Sequence, residues 1–185
     1  MVENLFLIFN VTIEILFKPV EFSKSIDGSD LKKSLIYFSE SFAIMLMVSR
    51  YILDLNDMIS DDYMKIVPLL LVMILIPIPI ILHSIIKIIY NRTVTMKVAF
   101  SIIFYWIGFL LLITHLILII LYYLPSTGGI VETPILLIVY FIWGISFFIV
   151  SLWIKDLYFI NIITSIIILF TSTILPLLIY LSFPT

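Results

Sequence analysis

Long apolar stretches alternate with short polar breaks along most of this chain. Each stretch reaches the about 20 residues that an α-helix needs to cross the hydrocarbon core of a bilayer. The five stretches cover residues 34–53, 66–90, 96–123, 134–154 and 159–181. The breaks are an acidic segment at 54–65, a short basic loop at 91–95, a Gly- and Pro-containing turn at 124–133, and Lys155-Asp156. The pattern predicts an all-α integral membrane protein, with residues 34–185 forming a domain of five transmembrane helices.

The first 33 residues follow a different pattern. Glu3, Asn10 and Glu14 fall on one side of a helix over residues 2–17, and an apolar face occupies another side. That face consists of Leu5, Phe6, Phe9, Ile13, Leu16 and Phe17. Sixteen residues rise only about 24 Å as a helix, less than the about 30 Å hydrocarbon core. We therefore predict an amphipathic helix that lies in the membrane interface or along the bundle, followed by a basic segment up to residue 33. A short spanning helix is the alternative.

The composition supports membrane residence and excludes several functions. Hydrophobic residues make up 63% of the chain and charged residues 12%, against about 45–50% and about 25% in ordinary globular domains. The net charge of −2 argues against nucleic-acid binding. The absence of cysteine excludes disulfides, iron–sulfur clusters and thiolate zinc sites. The N-terminus has Glu3 in place of a basic start and no small-residue cleavage site, so we expect it to be retained. We expect no cofactor.

The basic residues predict an orientation. Lys and Arg favour cytoplasmic loops. With the N-terminus inside, only Arg50 and Lys65 fall on the outer side. The cytoplasmic side then holds Lys18, Lys24, Lys32, Lys33, Lys87, Arg92, Lys97 and Lys155. The expected topology is N-terminus in and C-terminus out.

Two polar residues in predicted spans are candidates for chemistry. Glu40 and His83 each lie about 9 Å from the cytoplasmic end of their span, and Lys87 follows His83 by one helical turn. A carboxylate and an imidazole in apolar surroundings can relay protons or bind a cation; alternatively, they neutralise each other for structure alone. His115 falls on the outer side with Arg50 as its neighbour by depth, where a structural role is expected. Histidines at different depths predict no metal site.

Proline and glycine positions predict local features of the spans. Pro77 and Pro79 interrupt the second span and predict a kink, with an ion site at a broken helix as the alternative. Gly108 and Gly144 are expected to permit close helix contact. A polar stripe on the fifth span, Asn161, Ser165 and Ser172, is expected to hydrogen-bond to other helices. Signatures of metalloproteases, α/β-hydrolases and P-loop enzymes are missing from the sequence, which predicts that the protein is not an enzyme.

The layout resembles a known family. Residues 16–26 read Leu-Phe-Lys-Pro-Val-Glu-Phe-Ser-Lys-Ser-Ile, and a basic entry over residues 31–35 precedes the five spans. This arrangement, with Pro19-x-x-Phe22 after an amphipathic helix, resembles the prokaryotic branch of the Yip1 domain family. The aspartate-leucine-tyrosine-glycine-proline motif of the eukaryotic members is missing; residues 37–39 stand in that region without matching it. Binding to Rab GTPases therefore does not carry over.

The resemblance implies a non-enzymatic adaptor or scaffold in a prokaryotic cell membrane. Its partners would be the lipid bilayer together with membrane proteins or further copies of the chain. The alternative is a small transport subunit with a proton- or ion-linked path through Glu40 and His83.

Overall fold

The described part of the chain is entirely helical. The computed structural model describes residues 2–27, 30–48, 75–91, 94–123 and 132–182. These residues form seven α-helices and no strand. The helices are α1 (Val2–Phe17), α2 (Pro19–Ser25), α3 (Leu31–Met47), α4 (Pro77–Tyr90), α5 (Met96–Tyr123), α6 (Glu132–Tyr158) and α7 (Ile162–Ser182). The predicted all-α class is confirmed.

Among the described residues, two helices are long and apolar enough to cross a membrane, so the five predicted spans are not confirmed. The two helices are the segments Met96–Ile117 of α5 and Tyr140–Tyr158 of α6. Among the described residues, Pro77–Tyr90 and Ile162–Pro176 are shorter apolar helices. The end of the first predicted span and its residue Arg50, the acidic segment 54–65 and the start of the second span lie outside the described residues.

The turn between α6 and α7 lies later than the sequence suggested. The predicted break at Lys155-Asp156 is wrong, because the helix continues through both residues to Tyr158. Phe159 then adopts a left-handed conformation with φ of 53°, and the Ile160 N–H donates to the Lys155 carbonyl at 3.1 Å. This is the backbone pairing that closes a helix when its last residue is followed by a left-handed one. Charged residues are compatible with a last helical turn, so they did not mark its end.

The polar residues of α7 bond within their own helix. The Asn161 Oδ1 accepts from the Thr164 N–H at 2.8 Å and caps the start of α7. The buried Ser165 and Ser172 hydroxyls donate to carbonyls four residues earlier, at 3.0 and 2.7 Å. The expected hydrogen bonds to other helices are therefore wrong for these serines. Local back-bonding satisfies a hydroxyl without any partner helix.

The closest helix packing joins α3 and α5. Small or aromatic residues at near-heptad spacing are buried on both helices: Ser34, Tyr37 and Ser41 on α3, and Ser101, Tyr105 and Gly108 on α5. A Cβ atom added at Gly108 would lie 2.9 Å from the Tyr37 ring and 3.2 Å from the Phe38 Cα. The expected close contact at Gly108 is confirmed. The same expectation for Gly144 is wrong, because no described atom lies within 4 Å of the equivalent position.

The other helices surround this pair. Helix α4 packs against α5 and α7, and α6 packs against α5 and α7. At one end of the bundle, α2 packs against α6, while α1 contacts α2 and α3. Together α1 and α2 form an N-terminal arm.

Candidate functional site

The predicted pair Glu40 and His83 is not joined in the structure. Glu40 lies on α3 and His83 on α4, and both helices pack against α5. The Glu40 Oε2 and His83 Nδ1 atoms are buried and have no hydrogen-bond partner in the described part of the chain. His83 is only 8% exposed. The shared proton or ion site therefore stays a prediction, but each residue carries a buried polar atom that no described residue satisfies.

The neighbouring polar residues occupy separate places. Lys87 is exposed one helical turn from His83. The His115 Nδ1 lies 2.8 Å from the Leu111 carbonyl of its own helix, the kind of contact that a structural role requires. No group of three His, Asp or Glu side chains that could hold a metal ion occurs among the described residues.

The two prolines stand at a helix start. Leu75 is helical, Ile76 forms a turn, and α4 begins at Pro77. A proline is readily accommodated in the first turn of a helix because its missing N–H would have had no partner there. Pro79 is fully buried. The kink predicted at Pro77 and Pro79 stays a prediction, because the residues before Leu75 lie outside the described part.

The structure brings together four aromatic residues, of which the sequence pattern marks only Phe22, in the Pro19-x-x-Phe22 motif. Phe22 of α2, Tyr37 of α3, Tyr105 of α5 and Trp153 of α6 are each at most 5% exposed. The Phe22 ring centroid lies 5.0 Å from that of Tyr105, nearly edge-on, and 5.2 Å from that of Trp153. The Tyr37 and Tyr105 centroids are 5.7 Å apart. We call these residues the docking cluster, because through them four helices meet where the arm joins the bundle.

Hydrogen bonds reinforce this junction. The Trp153 indole N–H donates to the Pro19 carbonyl at 2.8 Å. The Ser23 hydroxyl donates to the Val20 carbonyl of its own helix at 2.8 Å and also lies 3.3 Å from the Asp156 carboxylate. The Trp153 bond and the Ser23–Asp156 contact both link α2 to the last two turns of α6. An indole N–H normally finds a partner when its ring is buried, so Pro19 satisfies the polar end of the largest buried side chain in the described core.

Helix α1 contacts the bundle through a row of aliphatic residues. Ile8, Val11 and Ile15 are buried, and the Thr12 and Tyr37 hydroxyls lie 3.0 Å apart in a hydrogen bond. The spacing of these three residues (i, i+3, i+7) was a readable signal for a packing face. A second apolar face with larger side chains on the same helix obscures this signal in the sequence.

The docking cluster is suited to holding helices together. Its aromatic rings pack against one another, and the indole and two hydroxyl contacts orient the helices. The cluster contains no paired acid and base. A further buried hydroxyl, that of Tyr158, has no hydrogen-bond partner in the described part of the chain.

Comparison of the chain with protein-family models, with curated proteins and with solved structures finds no match. The resemblance to the Yip1 domain family, and the function that it implies, therefore stay predictions.

Proposed function

We propose that this chain is a non-enzymatic membrane adaptor or scaffold with a Yip1-like layout of five spans behind an N-terminal arm. The observation that carries the proposal is the docked arm. Pro19 and Phe22, the residues that carry the resemblance, are both bonded or packed against Trp153 of α6. An arm held in a fixed orientation presents the same surface to every partner, which suits a protein that organises others.

The membrane arrangement is part of the proposal. Helices α5 and α6 have 28 and 27 residues, more than the about 20 needed to span a bilayer. The arm contacts the C-terminal end of α6 through Trp153 and Asp156. Five spans with the N-terminus inside would bring the arm and that end of α6 to the same cytoplasmic side. The contact therefore supports this topology.

Purification in mild detergent tests the adaptor role. We expect a membrane protein, or a second copy of the chain, to co-purify at a fixed ratio. Phe22→Ala should release the arm and lower the amount of partner that co-purifies. Val20→Ala on the same helix should leave that amount unchanged, because Val20 is 43% exposed. A chain that purifies alone, with both variants behaving alike, would contradict the proposal.

One observation favours the alternative of a small transport subunit. The Glu40 Oε2 and His83 Nδ1 atoms are buried and have no hydrogen-bond partner among the described residues. Intramembrane ionisable groups commonly mark ion or proton paths. The purified chain in liposomes under a pH gradient separates the two functions. The adaptor proposal expects no flux above that of empty liposomes. A pH-dependent flux that Glu40→Gln abolishes, with unchanged melting of the protein, would favour transport.

A further inference from the structure

Helix α1 has an outward face that the bundle does not cover. The face lies opposite the buried row Ile8, Val11 and Ile15 and consists of large apolar side chains. Its members and their exposed fractions are Phe6 64%, Phe9 66%, Ile13 40%, Leu16 43% and Phe17 76%. Asn10 and Glu14 are exposed on a third side between these two faces. One helix thus has a packing face, an apolar outward face and a polar face.

The roll of α1 about its axis is fixed by the bundle. The buried row packs inward, and the hydrogen bond between Thr12 and Tyr37 holds the middle of the helix. The level of the arm is fixed as well, because Pro19 accepts from Trp153 near the C-terminal end of the candidate span Tyr140–Tyr158. The end of a spanning helix lies at a membrane boundary. The outward face is therefore presented at that boundary before any lipid binds.

The charge of α1 restricts what can bind there. Its sixteen residues include two glutamates and no lysine or arginine. The next residue, Lys18, is paired with Glu21 at 3.3 Å. Amphipathic helices bind membranes through buried apolar area and through attraction of basic residues to anionic lipids. Only the apolar contribution is available to this helix.

We propose that the outward face of α1 inserts at the boundary between headgroups and acyl chains by apolar contact alone, and that it favours loosely packed zwitterionic lipid over anionic lipid. The inference rests on the membrane placement proposed above. Three phenylalanine rings on one helix face need gaps between headgroups to enter a leaflet. Glu14 on the neighbouring polar face is repelled by anionic headgroups.

Site-specific fluorescence tests this inference in the full chain. The protein lacks cysteine, so Phe9→Cys and the matched control Glu14→Cys each accept one environment-sensitive dye. The two variants are reconstituted in vesicles of unsaturated phosphatidylcholine, in saturated fluid phosphatidylcholine, and in unsaturated phosphatidylcholine with phosphatidylglycerol. Brominated lipid should quench the dye at Phe9 several-fold more than the dye at Glu14, and aqueous iodide should show the reverse. Lipid quenching at Phe9 should fall in the tightly packed saturated vesicles and should not rise with phosphatidylglycerol.

Three outcomes would overturn the inference. Iodide quenching at Phe9 as strong as at Glu14 would place the face in water. Protection of Phe9 from both quenchers would indicate that protein covers it. Lipid quenching that requires phosphatidylglycerol would assign the binding to the flanking lysines. Failure of the proposed topology is a separate result, because labelling of the loops between the spans reports on it without α1.

Discussion

The two halves of α6 contain the same kinds of residue in opposite surroundings. From Ile149 to Tyr158 the helix buries large side chains and Trp153 bonds to the arm. From Leu137 to Phe148 it exposes apolar side chains, and Trp143 is 54% exposed. The arm contacts only the C-terminal half, where Pro19 and Phe22 meet Trp153. Residue type along a membrane helix therefore says little about burial; the neighbouring element decides it.

The largest expected difference in stability is between alanine variants of two tryptophans, Trp153 and Trp143. Trp153→Ala removes a fully buried ring and leaves the Pro19 carbonyl without its donor, so the protein should lose about 3–5 kcal/mol of stability. Trp143→Ala changes an exposed side chain and should cost far less. Thermal melting of both variants in the same detergent measures the contrast. Similar melting temperatures would mean that the arm does not dock on α6 as described.

A second contrast compares the two helix glycines. Gly108→Ala places a Cβ 2.9 Å from the Tyr37 ring and should cost about 1–3 kcal/mol through overpacking. Gly144→Ala meets no described atom within 4 Å and should be neutral. Thermal melting in the same detergent measures the stability of both variants. A neutral Gly108→Ala would contradict the close α3–α5 contact.

The smallest expected effect is at Glu40. Its Oε2 atom has no hydrogen-bond partner among the described residues, whereas the Asp156 carboxylate lies 3.3 Å from the Ser23 hydroxyl. Replacing an unsatisfied buried polar group with an apolar one is nearly neutral or stabilising, so Glu40→Leu should not lower the melting temperature. A loss of about 1–3 kcal/mol, the penalty for leaving a buried partner unsatisfied, would show that Glu40 is paired, with His83 as the first candidate.

The sequence predicted the helices well because the length of an apolar run largely determines a membrane helix. It located α4 to α7 along the chain and identified Gly108 as a position of close helix contact. It missed the docking of α2, because Phe22 lies among charged residues and looks like part of a soluble segment. Only the fold reveals that Trp153 and Tyr105 receive this ring.

Helical rise predicts how deep a residue lies in a span, but it does not predict the direction of the side chain around the helix. It predicts Glu40 and His83 at one level of the membrane. Whether two side chains at one level face each other depends on how each helix is rotated by its packing. The rotation of α3 about its axis is set by its contact with α5. The positions of Glu40 and His83 in the sequence do not reveal that rotation.

Side-specific labelling tests the central claim, a five-span membrane protein with its arm on the cytoplasmic side. Single cysteines at Thr93 and Gly128, in loops predicted from the sequence, are labelled in sealed vesicles of known orientation with an impermeant reagent. The account predicts that Thr93→Cys reacts only from the cytoplasmic side and Gly128→Cys only from the outer side. Reaction of both from the same side would contradict it.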